Sequence, residues 1–379
     1  MKKLGIYVHI PFCKRKCNYC DFYSVKWNEE IDNGYLNSVI KEIKSYKEKQ
    51  SVENYVVDTI YFGGGTPTVV NPNNLSKILC EINQTFKVDK TSEISMEANP
   101  DTLTSENLNI YKQIGINRLS IGIQSLNDDI LKKIGRLHNS KEALEAIERA
   151  KSHGFENINA DVMFNIPDQT VKDIEDTVMQ ILEHDVKHIS FYSLKLEQGT
   201  PMYVMEKNNK IIMPEEDVER EMYYAGRKIM EENDIMQYEI SNFAKKGYEC
   251  KHNLKYWMQE EYIGLGPSAH SFLNKERFSN PSDINSYCNG AEHNIFNRNI
   301  EEILDDKAEI FEYIMLFLRL TKGLNINDFK QKFYVDFNKT YQNQIHYLIN
   351  NNLLEYNNDY VKLTNRGMDI SNLVFEEFM

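Results

Sequence analysis

The sequence predicts an α/β protein built on parallel strands, and two observations lead there. Over the first two thirds of the 379 residues, six short apolar runs alternate with amphipathic segments. That is the pattern of parallel strands joined by crossover helices. Polar, chemistry-bearing residues also recur directly after those runs, where α/β folds place their sites. Six such units can form a doubly wound sheet or an incomplete (β/α) barrel, and the pattern alone does not choose between them.

The strands are expected at Leu4–Ile10, Val56–Phe62, Glu93–Glu97, Arg118–Ile123, Ile158–Met163 and His188–Leu194. The intervening helices are expected near residues 28–50, 73–86, 104–114, 140–153 and 171–184. In the first of them Ile31, Tyr35, Val39 and Ile43 recur at helical spacing. After about residue 235 the repeat fades into Tyr- and Asn-rich sequence. An amphipathic helix over Glu301–Leu320 then carries Ile303, Ile310, Ile314 and Phe317. Phe329–Phe333, a helix near Gln342–Asn350 and short strands near Leu353–Tyr356 and Tyr360–Leu363 follow. This order suggests a small α+β, winged-helix-like C-terminal domain. The expected division is a core at 1–235, a connecting segment at 236–298 and a C-terminal domain at 299–379.

Lys and Arg number 44 against 57 Asp and Glu, a net charge of -13. That balance argues against a nucleic-acid partner, whose phosphates need a basic face. No apolar run reaches the roughly 20 residues of a membrane span, so no integral membrane protein is expected. Met1-Lys2-Lys3 leads into a strand with no small-residue cleavage site, unlike a signal peptide. Cys80, Cys250 and Cys288 are scattered, as suits a reducing compartment. A cytoplasmic protein is expected.

The loop after the first strand is Cys13-Lys-Arg-Lys-Cys17-Asn-Tyr-Cys20, spaced C-x3-C-x2-C. Three thiolates on one loop can hold three irons of a [4Fe-4S] cluster and leave the fourth iron open to a small molecule, whereas most electron carriers close the cluster with four cysteines. Zinc is the alternative, with His9 as the imaginable fourth ligand; a zinc knuckle more often shows two paired C-x2-C units. Lys14, Arg15 and Lys16 either offset an anionic cluster or form a solvated loop. After the second strand, Gly63-Gly64-Gly65-Thr66 lets backbone approach a ligand closely. It is no P-loop, since no Lys-Ser/Thr follows. Glu97 ends the third strand, Gln124 the fourth, and Asp161 lies on the fifth. Gly135-Arg136-Leu137-His138 suggests a cation at a helix end.

His252-Asn253-Leu254-Lys255-Tyr256-Trp257 gathers an imidazole, an amide, a phenol and one of two tryptophans. His252 and Tyr256 are four apart and share a helix face. Imidazole and phenolate both serve as heme axial ligands, and a macrocycle gains contact area from Tyr and Trp. A packed aromatic corner is the plainer alternative.

The cysteine spacing, with Tyr19 before Cys20, resembles the radical S-adenosylmethionine (SAM) superfamily. That resemblance implies a partial (β/α)6 barrel, a cluster on Cys13, Cys17 and Cys20, and SAM chelated at the open iron. It further implies that Tyr7 and Tyr19 flank the cofactor, Gly64, Gly65 and Thr66 receive its amino group, and Glu97 takes its ribose hydroxyls. Gln124, Arg136 and Asp161 would face a second SAM or the substrate side. Within the superfamily, Tyr7-Val-His9-Ile10-Pro11-Phe12-Cys13, Gly-Gly-Gly-Thr-Pro-Thr, Ile-Gly-Ile-Gln-Ser, the His-Asn-x-x-Tyr-Trp run and Gly264-Leu-Gly-Pro-Ser-Ala-His270 resemble the HemW heme chaperones. These are relatives of the oxygen-independent coproporphyrinogen III oxidase HemN. The resemblance implies heme held at His252, Asn253, Tyr256 and Trp257 and passed to an apo-hemoprotein, such as a respiratory cytochrome at a membrane. Two departures separate the chain from the oxidase: Phe22 stands where that enzyme has a further cysteine, and only twelve residues precede Cys13. The alternative function is that oxidase reaction, decarboxylation of two propionates to vinyl groups in porphyrin biosynthesis.

Overall fold

A computed structural model describes residues 1–47 and 52–379. The six expected strands form, as β1 Lys2–Ile10, β2 Tyr55–Gly64, β3 Val88–Ala98, β4 Arg118–Gln124, β5 Asn157–Phe164 and β6 His188–Ser193. All six pair in parallel, in chain order. The helices between them are α1 Glu29–Ser45, α2 Pro72–Thr85, α3 Ser105–Gln113, α4 Asp128–Lys133, α5 Ser140–Ser152 and α6 Val171–Glu183. The expected end of the first helix, at 48–50, lies outside the described residues. Side-chain caps set where helices start: Asn28 accepts from the Ile31 N–H, and Asn139–Glu142 and Thr170–Asp173 form reciprocal capping boxes.

The strand period of two divides the sheet into two chemistries. Ile6, Val8, Ile60, Phe62, Met96, Leu119, Ile121, Ala160, Val162 and Ile189 face the helices and form the main apolar core. Their neighbours point into the barrel: Tyr7, Thr59, Tyr61, Glu93, Glu97, Arg118, Ser120, Asn159, Asp161, His188 and Ser190. The barrel interior is therefore polar and hydrogen-bonded.

Two helices follow β6, α7 Pro201–Lys207 and α8 Glu216–Glu232. The sheet then continues where the sequence showed no repeat. β7 Met236–Glu239 and β8 Asn242–Ala244 join antiparallel beyond β6. After α9 Lys251–Trp257, β9 Tyr262–Leu265 pairs in parallel with β1. β10 His270–Leu273, β11 Glu276–Ser279 and β12 Asn299–Ile303 extend that edge antiparallel. The result is one mixed twelve-stranded sheet, ordered β12-β11-β10-β9-β1-β2-β3-β4-β5-β6-β8-β7. Residues 301–303, expected at the head of a helix, instead belong to the exposed edge strand β12. The helix starts only at Asp306 because the Asp305 side chain caps it at Ala308 N. Beyond it, helices surround a three-stranded antiparallel sheet ordered Leu324–Asn325, Tyr360–Leu363, Leu354–Asn357, over a separate core that includes Ile314, Phe329, Phe337 and Val361.

Candidate cofactor site

At the C-terminal ends of the strands lies a cavity of about 480 Å³. Cys13, Cys17 and Cys20 line it, all as free thiols. So do Tyr19, Gly64, Gly65, Thr66, Glu97, Gln124, Arg136 and Asp161. Eight of the nine residues expected to face SAM thus share one wall or another of a single space. Tyr7 is the exception and sits one layer deeper.

The glycine loop holds the cysteine loop by backbone. Gly65 N donates to the Ile10 carbonyl (2.8 Å) and Thr66 N to the Phe12 carbonyl (2.7 Å). A Cβ on Gly65 would stand 2.7 Å from the Phe12 oxygen, and one on Gly64, at φ +108°, 2.5 Å from the His9 ring. His9 itself is occupied, with Nδ1 3.1 Å from the Tyr7 hydroxyl and Nε2 3.0 Å from the Tyr23 carbonyl. Both ring nitrogens are thus engaged, which counts against His9 as a zinc ligand.

A polar chain ties two of the thiols together. Arg136 Nη2 donates to Asn99 Oδ1 (2.7 Å) and to the Gly122 carbonyl (2.6 Å), while Nη1 lies 3.5 Å from Cys17 Sγ. Asn99 Nδ2 donates to Thr66 Oγ1, which reaches Cys13 Sγ at 3.6 Å. Asn99 was missed among the expected site residues, although its place just past a strand end carries the same signal as Glu97. Ser190, Tyr192, Lys195, Glu197 and Asn242 also line the cavity unforeseen. Tyr192 donates to Gln124 Oε1 (2.7 Å), and Gln124 holds a left-handed backbone at φ 69°.

The electrostatics favour a cationic guest beside a metal cluster. Burial, followed by the charge of Asp161, pushes the Glu97 carboxyl up to about 7. Asp161 is raised as well, chiefly by burial. Two carboxylates poorly served by solvent gain from a positive ligand. Burial raises the thiols of Cys13 and Cys20, the latter to about 11, so metal binding must expel their protons. Among the described residues, no three His, Cys, Asp or Glu side chains close on one ion-sized point. A cluster takes one thiolate per iron, so thiols ringing a cavity suit it, and the Arg136 guanidinium suits its negative charge.

The helix α9 lies inside the barrel opening, beneath this cavity. Glu93 accepts from the N–H groups of Lys251 and His252, and its Oε1 lies 3.7 Å from Cys250 Sγ. His252 is 1% exposed. Its Nδ1 is 2.9 Å from Thr59 Oγ1, and its Nε2 2.9 Å from the Tyr256 hydroxyl. Burial, then the charge of Lys255, pushes its pKa down to about 3. Asn253 alone of the four expected heme residues lines the cavity. Trp257 faces the other way, under the Arg319 guanidinium at 4.6 Å. His252 and Tyr256 do share a helix face, and in this arrangement they bind each other.

Comparison with known proteins fits this geometry. The model of the radical SAM superfamily matches residues 7–181, and that of the HemN C-terminal domain matches 304–370. The heme chaperone HemW of Bacillus subtilis is 37% identical, with 98% of each chain covered. That of Lactococcus lactis is 35% identical over 100% of this chain and 98% of its own. This chain belongs to the HemW family. Among solved structures, the radical SAM enzyme coproporphyrinogen III oxidase (HemN) from Escherichia coli superposes with a TM-score of 0.86. That match covers 100% of this chain and 90% of the oxidase at 19% identity, and so shows the shared radical SAM fold. In this HemW-family chain Phe22 is exposed on the cavity rim. Among the described residues no helix is long and apolar enough to cross a membrane.

Proposed function

We propose that this HemW-family protein is a cytoplasmic heme chaperone that carries a [4Fe-4S] cluster on Cys13, Cys17 and Cys20 and SAM in the cavity beside it. The observation that carries the cofactor reading is one cavity lined by three free thiols, the Glu97 and Asp161 carboxylates and Arg136. Such a cluster, with SAM at its open iron, supplies one-electron chemistry. The chain's own part is to hold three thiolates, place Arg136 against Cys17, and present Glu97, Gln124 and Asp161 to the cofactor. The carboxylates suit the sulfonium cation of SAM, and Tyr19 closes one side.

The heme part is supported by relatives named heme chaperones along the whole length, and by the His252–Trp257 run. Heme would be taken up at His252, Asn253, Tyr256 and Trp257 and delivered to an apo-hemoprotein, a respiratory cytochrome being the type of acceptor. Ligation by His252 requires one ring nitrogen to leave its partner, Thr59 or Tyr256, so uptake would involve a local rearrangement at α9. Anaerobic incubation of heme-loaded, cluster-loaded protein with an apo-cytochrome tests this. Heme should appear on the acceptor, and coproporphyrinogen III offered in parallel should remain unconverted. Turnover of coproporphyrinogen III without heme transfer would replace this reading with the oxidase one.

A further inference from the structure

We infer that His252 is a positioning residue of the SAM cavity, acting on Glu97 through the ring of Tyr61. The imidazole stacks on Tyr61 with centroids 5.2 Å apart and planes at 26°. Tyr7 stacks on Tyr61 at 6.2 Å and 25°, so the three rings form one cluster in the barrel. The Tyr61 hydroxyl donates to Glu97 Oε1 at 3.0 Å, and Gly64 N donates to Oε2 at 3.0 Å. Both carboxylate oxygens are thereby fixed, one by the glycine loop and one by the ring cluster.

The packing leaves this chain of contacts no slack. A Cβ on Gly5 would meet the His252 ring at 3.3 Å and Lys255 Cδ at 3.0 Å. A Cβ on Gly63 would meet Tyr61 at 2.9 Å and Glu97 at 3.0 Å. His252 is locked at both nitrogens, and the adjoining Asn253 reaches the cavity itself. Asn253 therefore forms part of the cavity floor, and His252 lies behind it, backing the Tyr61 ring that holds Glu97. Thr59 and Glu93, far away in sequence, keep that floor in place.

The inference rests on the proposal that Glu97 contacts SAM. Its test uses cluster-loaded, heme-free protein under anaerobic conditions. SAM affinity is read by equilibrium dialysis, and the SAM-induced change in the reduced cluster's EPR spectrum is recorded beside it. His252→Ala should weaken SAM binding about tenfold, the scale of one hydrogen bond to a charged group, at unchanged iron content. His252→Phe keeps a ring on Tyr61 and should recover most of that loss, which a general loss of stability would not. Wild-type affinity and spectrum in His252→Ala would overturn the inference. Should that variant not fold, Tyr61→Phe decides: it keeps the ring and removes the hydroxyl on Glu97, and wild-type SAM affinity there would overturn it equally. Glu97→Gln separates the two layers, since undiminished SAM binding in it would sink the assignment of Glu97 itself.

Discussion

Glu97→Gln is predicted to stabilise the SAM-free protein, and to do so only as the pH rises. The carboxyl is half-buried in the cavity wall, with its pKa moved from 4.5 to about 7 by desolvation and then by Asp161. A raised carboxyl favours folding below the unfolded value and loses that contribution as pH climbs through the folded one. At about 1.4 kcal/mol per pH unit, the charge costs the folded wild type about 3.5 kcal/mol above pH 7. Glutamine carries no charge and escapes it. Unfolding entropy of about 2.1 cal/mol/K per residue turns that into roughly 4 °C for a chain of 379 residues. Melting temperatures of both proteins, measured without SAM from pH 4.5 to 8.5, give the difference directly. The amide loses one acceptor for Tyr61 or Gly64, but that cost is constant and cancels in the slope. The difference should grow in favour of the variant between about pH 4.5 and 7, then level off. A difference that stays flat across this range would refute the account of Glu97. With saturating SAM the ranking should narrow or invert, because the cation recovers the cost only in the wild type.

Alanine at Cys13, Cys17 or Cys20 should each abolish the iron-sulfur absorbance after anaerobic reconstitution; an intact cluster in all three would contradict the assignment. Gly65→Ala should impair reconstitution, because its Cβ would press on the Phe12 and Ile10 carbonyls, whereas Gly34→Ala, in open space on α1, should raise stability by about 0.5–1 kcal/mol in denaturant titration. If heme takes His252, it withdraws the imidazole from Tyr61. SAM and heme should then weaken each other by the same factor, and heme titrations with identical midpoints with and without SAM would exclude that linkage.

The first six strands were legible because parallel strands under helices leave nearly continuous apolar runs. The polar alternation within them, Thr59, Tyr61 and Gly63 or Ser120 and Gly122, was equally present and marks the barrel interior. β7 to β12 were not legible: they are short, and β12 places exposed Ile300 and Ile303 on an edge, so neither period nor burial announces them. The cavity-lining residues followed from strand ends, which local sequence locates well. The position of His252 did not, since Thr59, its partner, is 193 residues away. Helical spacing told that His252 and Tyr256 share a face. It could not tell that this face turns into the barrel.

The proposed function turns on whether this chain binds heme. An anaerobic titration of the reconstituted protein with heme, followed in the Soret region, tests it most directly. Saturable binding near one heme per chain is expected, with an altered spectrum in Tyr256→Phe or His252→Ala. A linear, unsaturated rise that is identical in wild type and variants would contradict it.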